Sequence, residues 1–154
     1  MCELLANPQA YDGLMIEVSG MISTGGGLWL SDGKCRSHIT VGDYVFADIV
    51  ALTDPQDRQF RLHPATFEWN KQDQDNLREA LGQLRSALRP DDRLNVHGRV
   101  VEIQGTVVGL FETRRPIQRL VSRLGSPSGF GDQGIAPAQL LVKRTFHLGK
   151  GRTK

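Results

Sequence analysis

The segment LMIEVSGMIS, residues 14–23, decides the fold because its apolar and polar residues alternate. A period of two places one set of side chains on each face, which is typical of a strand with a single buried face. Gly20 falls in mid-strand and indicates a tight bend or a bulge, by which small barrels turn corners. The predicted inward residues are Ile16, Val18, Gly20 and Ile22, and Glu17, Ser19 and Ser23 form the polar face.

The chain beyond this segment predicts further strands around one helix. Between 70 and 89 the leucines recur at helical spacing, at positions 77, 81, 84 and 88, so one apolar stripe faces inward. Pro90 ends this amphipathic helix. The turn signal Gln104-Gly105 predicts that two of the later strands form a hairpin. Strands are predicted at 28–31, at 39–41 with 44–52, at 93–103, at 106–112 and at 138–148.

The order of these elements predicts a mostly β fold. Three strands precede the helix and two or three follow it, so the amphipathic helix lies between strands 3 and 4. A five-stranded oligonucleotide/oligosaccharide-binding (OB) barrel has this arrangement, and an α+β sandwich is the alternative. The length of 154 residues fits one domain. We expect a single OB-like domain over 1–148 and a flexible basic tail over 149–154.

The charges of the chain are distributed unevenly. Residues 1–112 hold ten basic and sixteen acidic side chains, whereas 113–154 hold nine basic side chains and one acidic side chain. A one-sided field of this kind favours an anionic partner. The alternative is that the basic third lies against the acidic remainder, within one chain or across a homo-oligomer. No run approaches the about 18 apolar residues of a transmembrane helix, so no membrane-spanning segment is predicted.

The two cysteines, Cys2 and Cys35, allow three interpretations. In an oxidising compartment they form a disulfide that closes a loop of about thirty residues. In the cytosol they are two thiols. A zinc site at Cys2, Cys35, His38 and one further residue is disfavoured, because a structural zinc ion takes four ligands and the stretch 35–38 supplies only two. We expect no metal and no cofactor.

Motifs that carry catalysis are missing from the sequence. There is no nucleophile elbow, no His-Glu-x-x-His and no phosphate-binding loop, so we expect no enzyme. The stretch GFGDQG at 129–134 has glycines like those of a dinucleotide fingerprint, but it leads through Pro137 into a strand instead of opening a helix. It is therefore interpreted as a structural loop.

Aromatic and basic residues supply candidates for binding single-stranded nucleic acid. OB barrels that bind single strands stack bases on aromatic rings and contact phosphates with basic side chains. The alternative for Trp29 and Phe46 is a place in the barrel core. The candidate stacking residues are Trp29, Tyr44 and Phe46, and the candidate phosphate contacts are Arg114, Arg115, Arg119 and Arg123.

Several short motifs resemble those of a family of small exported bacterial proteins with an OB-like barrel. The shared pattern is an opening cysteine in Cys-Glu-Leu-Leu at 2–5, Tyr-x-Gly at 11–13, Val-x-Gly at 18–20, and a second cysteine, Cys35, after the next strand. The later stretches GFGDQG at 129–134 and AQLLV at 138–142 are similar too. Tyr-x-Gly and Val-x-Gly are also shared with OB-like proteins that bind nucleic acid.

The resemblance and the missing catalytic motifs favour the first of two functional hypotheses, and the aromatic and basic residues carry the alternative. The first is a non-catalytic binding or interaction module of the bacterial cell envelope, periplasmic or otherwise extracytoplasmic, that contacts an unknown protein or anionic partner. The alternative is a single-stranded nucleic-acid-binding OB-fold protein. A cytoplasmic location is the alternative to export.

Overall fold

The computed structural model describes residues 1–24, 27–35, 38–54, 71–87, 101–149 and 152–153. None of the helices in these ranges is long and apolar enough to span a membrane. In chain order the elements are α1 (Cys2–Ala6), α2 (Pro8–Tyr11), β1 (Met15–Thr24), β2 (Leu28–Ser31), β3 (Thr40–Val41), β4 (Tyr44–Val45), β5 (Ile49–Thr53), α3 (Lys71–Ala87), β6 (Val101–Thr113), β7 (Ala138–Phe146) and β8 (Arg152–Thr153).

Five strands close into a barrel in the order β1-β2-β5-β7-β6, and β6 pairs back onto β1. All neighbours are antiparallel except β5 and β7, which are parallel. A parallel pair needs a crossover connection. Here the chain passes from β5 through α3 and then β6 before it reaches β7, so α3 lies in the chain between the third and fourth barrel strands. This closed, mixed five-stranded barrel confirms the mostly β, OB-like fold class predicted from the sequence.

The barrel core is built from the inward faces of these strands. The alternation predicted for β1 is confirmed, because Val18 and Ile22 are buried while Glu17 is exposed. Helix α1 adds Leu4 and Leu5 to the same cluster. The other core side chains are Leu30, Val50, Leu52, Ile103, Val107, Phe111, Ala138, Leu140 and Val142. The N-terminal helix is therefore an integral part of the barrel.

A second apolar cluster covers the outer face of β2 and β5. Trp29 and Ala51 are partners in the antiparallel register of these strands, and both belong to this second cluster instead of the barrel core. Two segments supply the cover: the chain around the β3–β4 hairpin and the connection between β6 and β7. The covering side chains are Val41, Phe46, Leu120, Phe130 and Ala136.

The predicted hairpin at Gln104-Gly105 is wrong, because β6 runs through both residues as one strand, Val101–Thr113. Gly105 lies opposite Gly20 in the register. A Cβ atom at Gly105 would lie 2.7 Å from Ile22 Cδ1 and 2.9 Å from Leu148 Cδ2. The glycine therefore permits close packing inside the barrel, where the sequence suggested a turn. The part of this prediction at 93–100 lies outside the described residues.

The predicted third strand is divided in the structure. Its first part forms a separate two-stranded hairpin of β3 and β4, with Gly42 in its turn at φ +60°. Only Ile49–Thr53 joins the barrel. Because the hairpin leaves the barrel sheet, it is able to fold over the outer face of β2 and β5 and place Phe46 there.

The basic tail predicted to be flexible contributes to the sheet. Arg152–Thr153 forms β8, which pairs with Val101 and Glu102 of β6. The Gly149 N–H also donates a hydrogen bond to the Gln104 carbonyl at 2.7 Å. β7 ends at Phe146, which pairs with Thr106, so the first residues of β6 have no β7 partner. The backbone of β6 at Val101 and Glu102 pairs with β8 instead.

Candidate binding groove between α1 and β1

A disulfide joins the N-terminal helix to the end of a barrel strand. Cys2 is the first residue of α1, and it is bonded to Cys35, with the two Cα atoms 5.0 Å apart. Cys35 follows β2 in a turn in which its N–H donates to the Asp32 carbonyl at 2.9 Å. Of the three interpretations of the cysteines, the structure has the disulfide. The bond fixes α1 beside the point where β2 ends.

His38, named in the zinc interpretation, has a different partner. Its Nδ1 lies 3.1 Å from Asp48 Oδ2. The metal-type cluster formed by the described side chains consists of Cys2, Asp32 and Cys35, and it does not include His38. Because both sulfur atoms are bonded to each other, this cluster offers a metal only the Asp32 carboxylate. The disulfide and a zinc site are thus mutually exclusive uses of the cysteines.

The candidate stacking residues lie in the second apolar cluster. Trp29 is 6% exposed and Phe46 is 1% exposed, so neither ring presents a free face to a base. Tyr44 is half-buried and packs edge-on against Phe46, with 4.7 Å between ring centroids. The backbone at Gly131 approaches the Trp29 indole so closely that any Cβ there would overlap the ring. OB barrels bind oligonucleotides on the face of strands 2 and 3, and here that face is covered.

Two of the candidate arginines hold parts of this fold together. The Arg114 guanidinium lies 4.8 Å from the centroid of the Phe130 ring. Arg115 Nε pairs with Asp12 Oδ2 at 2.7 Å, and its Nη2 donates to the Gln9 carbonyl at 2.6 Å. Arg119 and Arg123 are exposed on the β6–β7 connection. Arg114 therefore contacts the second apolar cluster through Phe130, whereas Arg115 contacts the Asp12 carboxylate and the Gln9 carbonyl.

An open groove of about 540 Å³ lies between α1 and β1. Apolar side chains line it together with two carboxylates, those of Glu3 and Glu17, both of which are exposed. Among the residues that the structure describes, no Lys, Arg or His side chain lines it. The lining residues include Glu3, Leu4, Tyr11, Ile16, Glu17 and Ser19. Pockets of this size are typical of ligand sites.

Local sequence patterns do not predict this groove, although they predict the exposed polar face of its β1 wall. The polar face of the first strand, with Glu17 and Ser19, was recognised as exposed. The opposite wall is supplied by α1, and its position depends on a disulfide to a residue 33 positions away. Local patterns do not report such long-range contacts, so they do not predict that Glu3 and Glu17 line the same groove.

A hydrogen bond joins Tyr11 and Glu3, which both line the groove. The Tyr11 hydroxyl donates to Glu3 Oε1 at 2.9 Å. This hydrogen bond raises the pKa of Tyr11 above its ordinary value of 10.0, with smaller contributions from desolvation and from the negative charge of Glu3. The pair connects α1 with Tyr11 at the end of α2.

We expect the Tyr11 pKa to fall towards 10.0 in a Glu3→Gln variant, because the amide carries no charge and is a weaker acceptor. A pKa raised in the folded state means that the pair stabilises the fold below pH about 10 and that this contribution is lost as pH rises through the raised value. Ultraviolet titration of tyrosinate in a Tyr44→Phe background isolates Tyr11, since the chain has two tyrosines. An identical midpoint with and without Glu3 would contradict the assignment.

β1 has a free edge along this groove. β2 pairs with β1 only over Met21–Thr24, whereas β6 pairs with β1 from Met15 to Ser23. In the part of the chain that the structure describes, no other strand pairs with the β2-side edge of residues 15–20. A row of backbone groups there is left without a strand partner.

Together, fold and site define a disulfide-linked OB-like barrel whose strand 2 and 3 face is covered and whose open surface is an acidic groove at the first strand. No protein-family model, no curated protein and no solved structure matches the chain. The fold assignment therefore rests on strand order and register, and the site on its geometry.

Proposed function

We propose that the protein is a non-catalytic binding module that works in an oxidising compartment, such as the bacterial cell envelope, and that the α1–β1 groove is its binding surface. The observation that carries the proposal is the disulfide in the wall of an open groove. Cys2 lies in the same five-residue helix as Glu3 and Leu4, which line the groove. Because stable disulfides persist mainly in oxidising compartments, the bond supports an extracytoplasmic location.

The constraints on α1 also support a binding role for the groove. A helix of five residues is too short to be stable in isolation, so α1 is held by the disulfide and by the burial of Leu4 and Leu5. These constraints fix the position of Glu3 in the groove lining before any ligand arrives. A surface that is already ordered loses less conformational entropy on binding, which raises affinity.

The burial of Trp29 and Phe46 favours this groove over the nucleic-acid alternative. Base stacking needs an exposed aromatic face, and the two rings are enclosed by the second cluster. The acidic groups of the groove would repel phosphate. Binding of single-stranded nucleic acid is therefore the alternative outcome of the crosslinking experiment.

Photo-crosslinking in the producing cell tests the groove. Tyr11 lines the groove, and Tyr44 lies outside it on the β3–β4 hairpin, so each is replaced in turn by p-benzoylphenylalanine as site and matched control. We expect a protein adduct from position 11 and none from position 44. Equal adducts at both positions, or none at position 11, would contradict the proposal. An adduct that is removed by nuclease would instead support binding of single-stranded nucleic acid.

Thiol trapping in the native compartment tests the location. We expect no alkylation of Cys2 or Cys35 when cells are quenched with iodoacetamide, and two added groups after treatment with reductant, as read by intact mass. Two alkylated cysteines without reductant would place the protein in a reducing compartment and remove the argument for export.

A further inference from the structure

We propose that the groove binds an extended peptide segment with alternating basic and apolar side chains, which adds as a strand to the free edge of β1. The inference rests on the proposed function and deepens it by naming the class of ligand. Its basis is the coincidence, in one groove, of apolar side chains, two carboxylates and backbone groups that no described strand pairs with.

The hydrogen-bonding pattern of β1 identifies the free backbone groups. The Phe111 N–H donates to the Leu14 carbonyl at 2.9 Å, which begins the ladder between β1 and β6. Because the bonding residues alternate along an antiparallel ladder, the even-numbered residues of β1 turn their backbone groups to β6. The odd-numbered Glu17 and Ser19 turn theirs to the other side, towards the groove. Their N–H and C=O groups form a template for a further strand.

The neighbouring elements explain why this template stays open. β2 begins its pairing with β1 at Met21, opposite Ser31, and then ends. Beyond it the chain turns at Asp32 towards the disulfide, so β2 does not continue beside Glu17 and Ser19. Helix α1 forms the far wall of the groove and has no strand hydrogen bonds to offer. An added peptide would continue the sheet where β2 leaves it.

The charges in the groove select a basic ligand. Neither Glu3 nor Glu17 belongs to an ion pair among the described residues. Side chains of an extended peptide alternate between two faces, so every second residue points the same way. A peptide paired with β1 would direct one set of side chains to the two carboxylates and the other set towards Leu4 and Ile16. This geometry favours alternating Lys or Arg and aliphatic residues.

Fluorescence anisotropy with a defined probe tests the proposal. The probe is fluorescein-labelled Lys-Val-Lys-Val-Lys-Val-amide, with one version N-methylated on the lysine amides, one on the valine amides, and one with glutamates in place of the lysines. Only one edge of the peptide pairs with β1. We therefore expect one N-methylated version to bind at least about tenfold more weakly and the other to bind like the parent, with no binding of the glutamate version.

Matched charge reversals locate the contact. Glu17→Lys is expected to weaken binding about tenfold at low salt, because it turns an attraction into a repulsion. Glu79→Lys makes the same change on α3, at an exposed residue outside the groove, and is expected to leave affinity within about twofold. Circular dichroism of both variants checks that the fold is retained.

Several results would overturn the proposal. Equal affinity of the parent peptide and both N-methylated versions would exclude strand addition. Equal weakening by Glu17→Lys and Glu79→Lys would show that the peptide binds through non-specific charge attraction. If all peptides fail while position 11 still crosslinks to a protein, the strand-addition inference is wrong and the binding module stands. If the crosslink fails as well, the proposed function is wrong too.

Discussion

A Cys2→Ala/Cys35→Ala double variant is expected to lose about 3 to 4 kcal/mol of unfolding free energy. The two cysteines are separated by 33 positions, and cutting the bond releases that loop in the unfolded chain. The wild-type protein in reductant should show the same loss as the double variant, since both lack the bond. Urea unfolding followed by circular dichroism, with and without reductant, measures both.

The loss of the bond should also disturb the groove. α1 would then be held mainly by Leu4 and Leu5, because it has only five residues and no further covalent tie. We expect the peptide probe to bind more weakly to the reduced protein under conditions where the barrel remains folded. The double variant serves as the control, because reductant should not change it. A urea midpoint that is the same in oxidised and reduced wild-type protein would contradict the structural role of the disulfide.

Local patterns were sufficient to predict the barrel strands that have one buried face. The alternation in residues 14–23 placed Val18 and Ile22 in the core. The leucine spacing after Asn70 predicted a helix, and Lys71–Ala87 is helical in the structure. Glycine was the main source of error. Gly105 has the signature of a turn, yet its absent side chain makes room for Ile22 and Leu148 within a continuous strand.

The covered outer face left a signal in the sequence that alternation alone does not capture. Leu28, Trp29 and Leu30 are three consecutive apolar residues, a run that is typical of a strand buried on both faces. In the structure Leu30 faces the barrel core and Trp29 faces the second cluster. The run does not show which residues cover Trp29. Phe130 joins the same cluster only because the connection between β6 and β7 folds back over the barrel. The groove escaped prediction for the same reason.

Trp29→Ala is expected to cost about 3 to 5 kcal/mol of unfolding free energy, the range for removing a large buried aromatic side chain. The indole is 6% exposed, and the second cluster encloses it. The backbone at Gly131 has a φ of +71° and lies against the ring, so it has little freedom to fill the resulting cavity. Trp29→Phe keeps part of the ring and should lose clearly less.

The same variant separates a core role for Trp29 from a base-stacking role. An exposed stacking residue contributes little to the fold, and its removal would change stability by only about 0.5 kcal/mol or less. Urea unfolding of the wild type, Trp29→Phe and Trp29→Ala is best followed by circular dichroism, because the substitutions remove the indole's own fluorescence. A graded loss across the series assigns Trp29 to the second cluster. Near-equal midpoints for all three proteins would mean that the outer face of β2 and β5 is open in solution, which would restore Trp29 as a candidate for binding single strands.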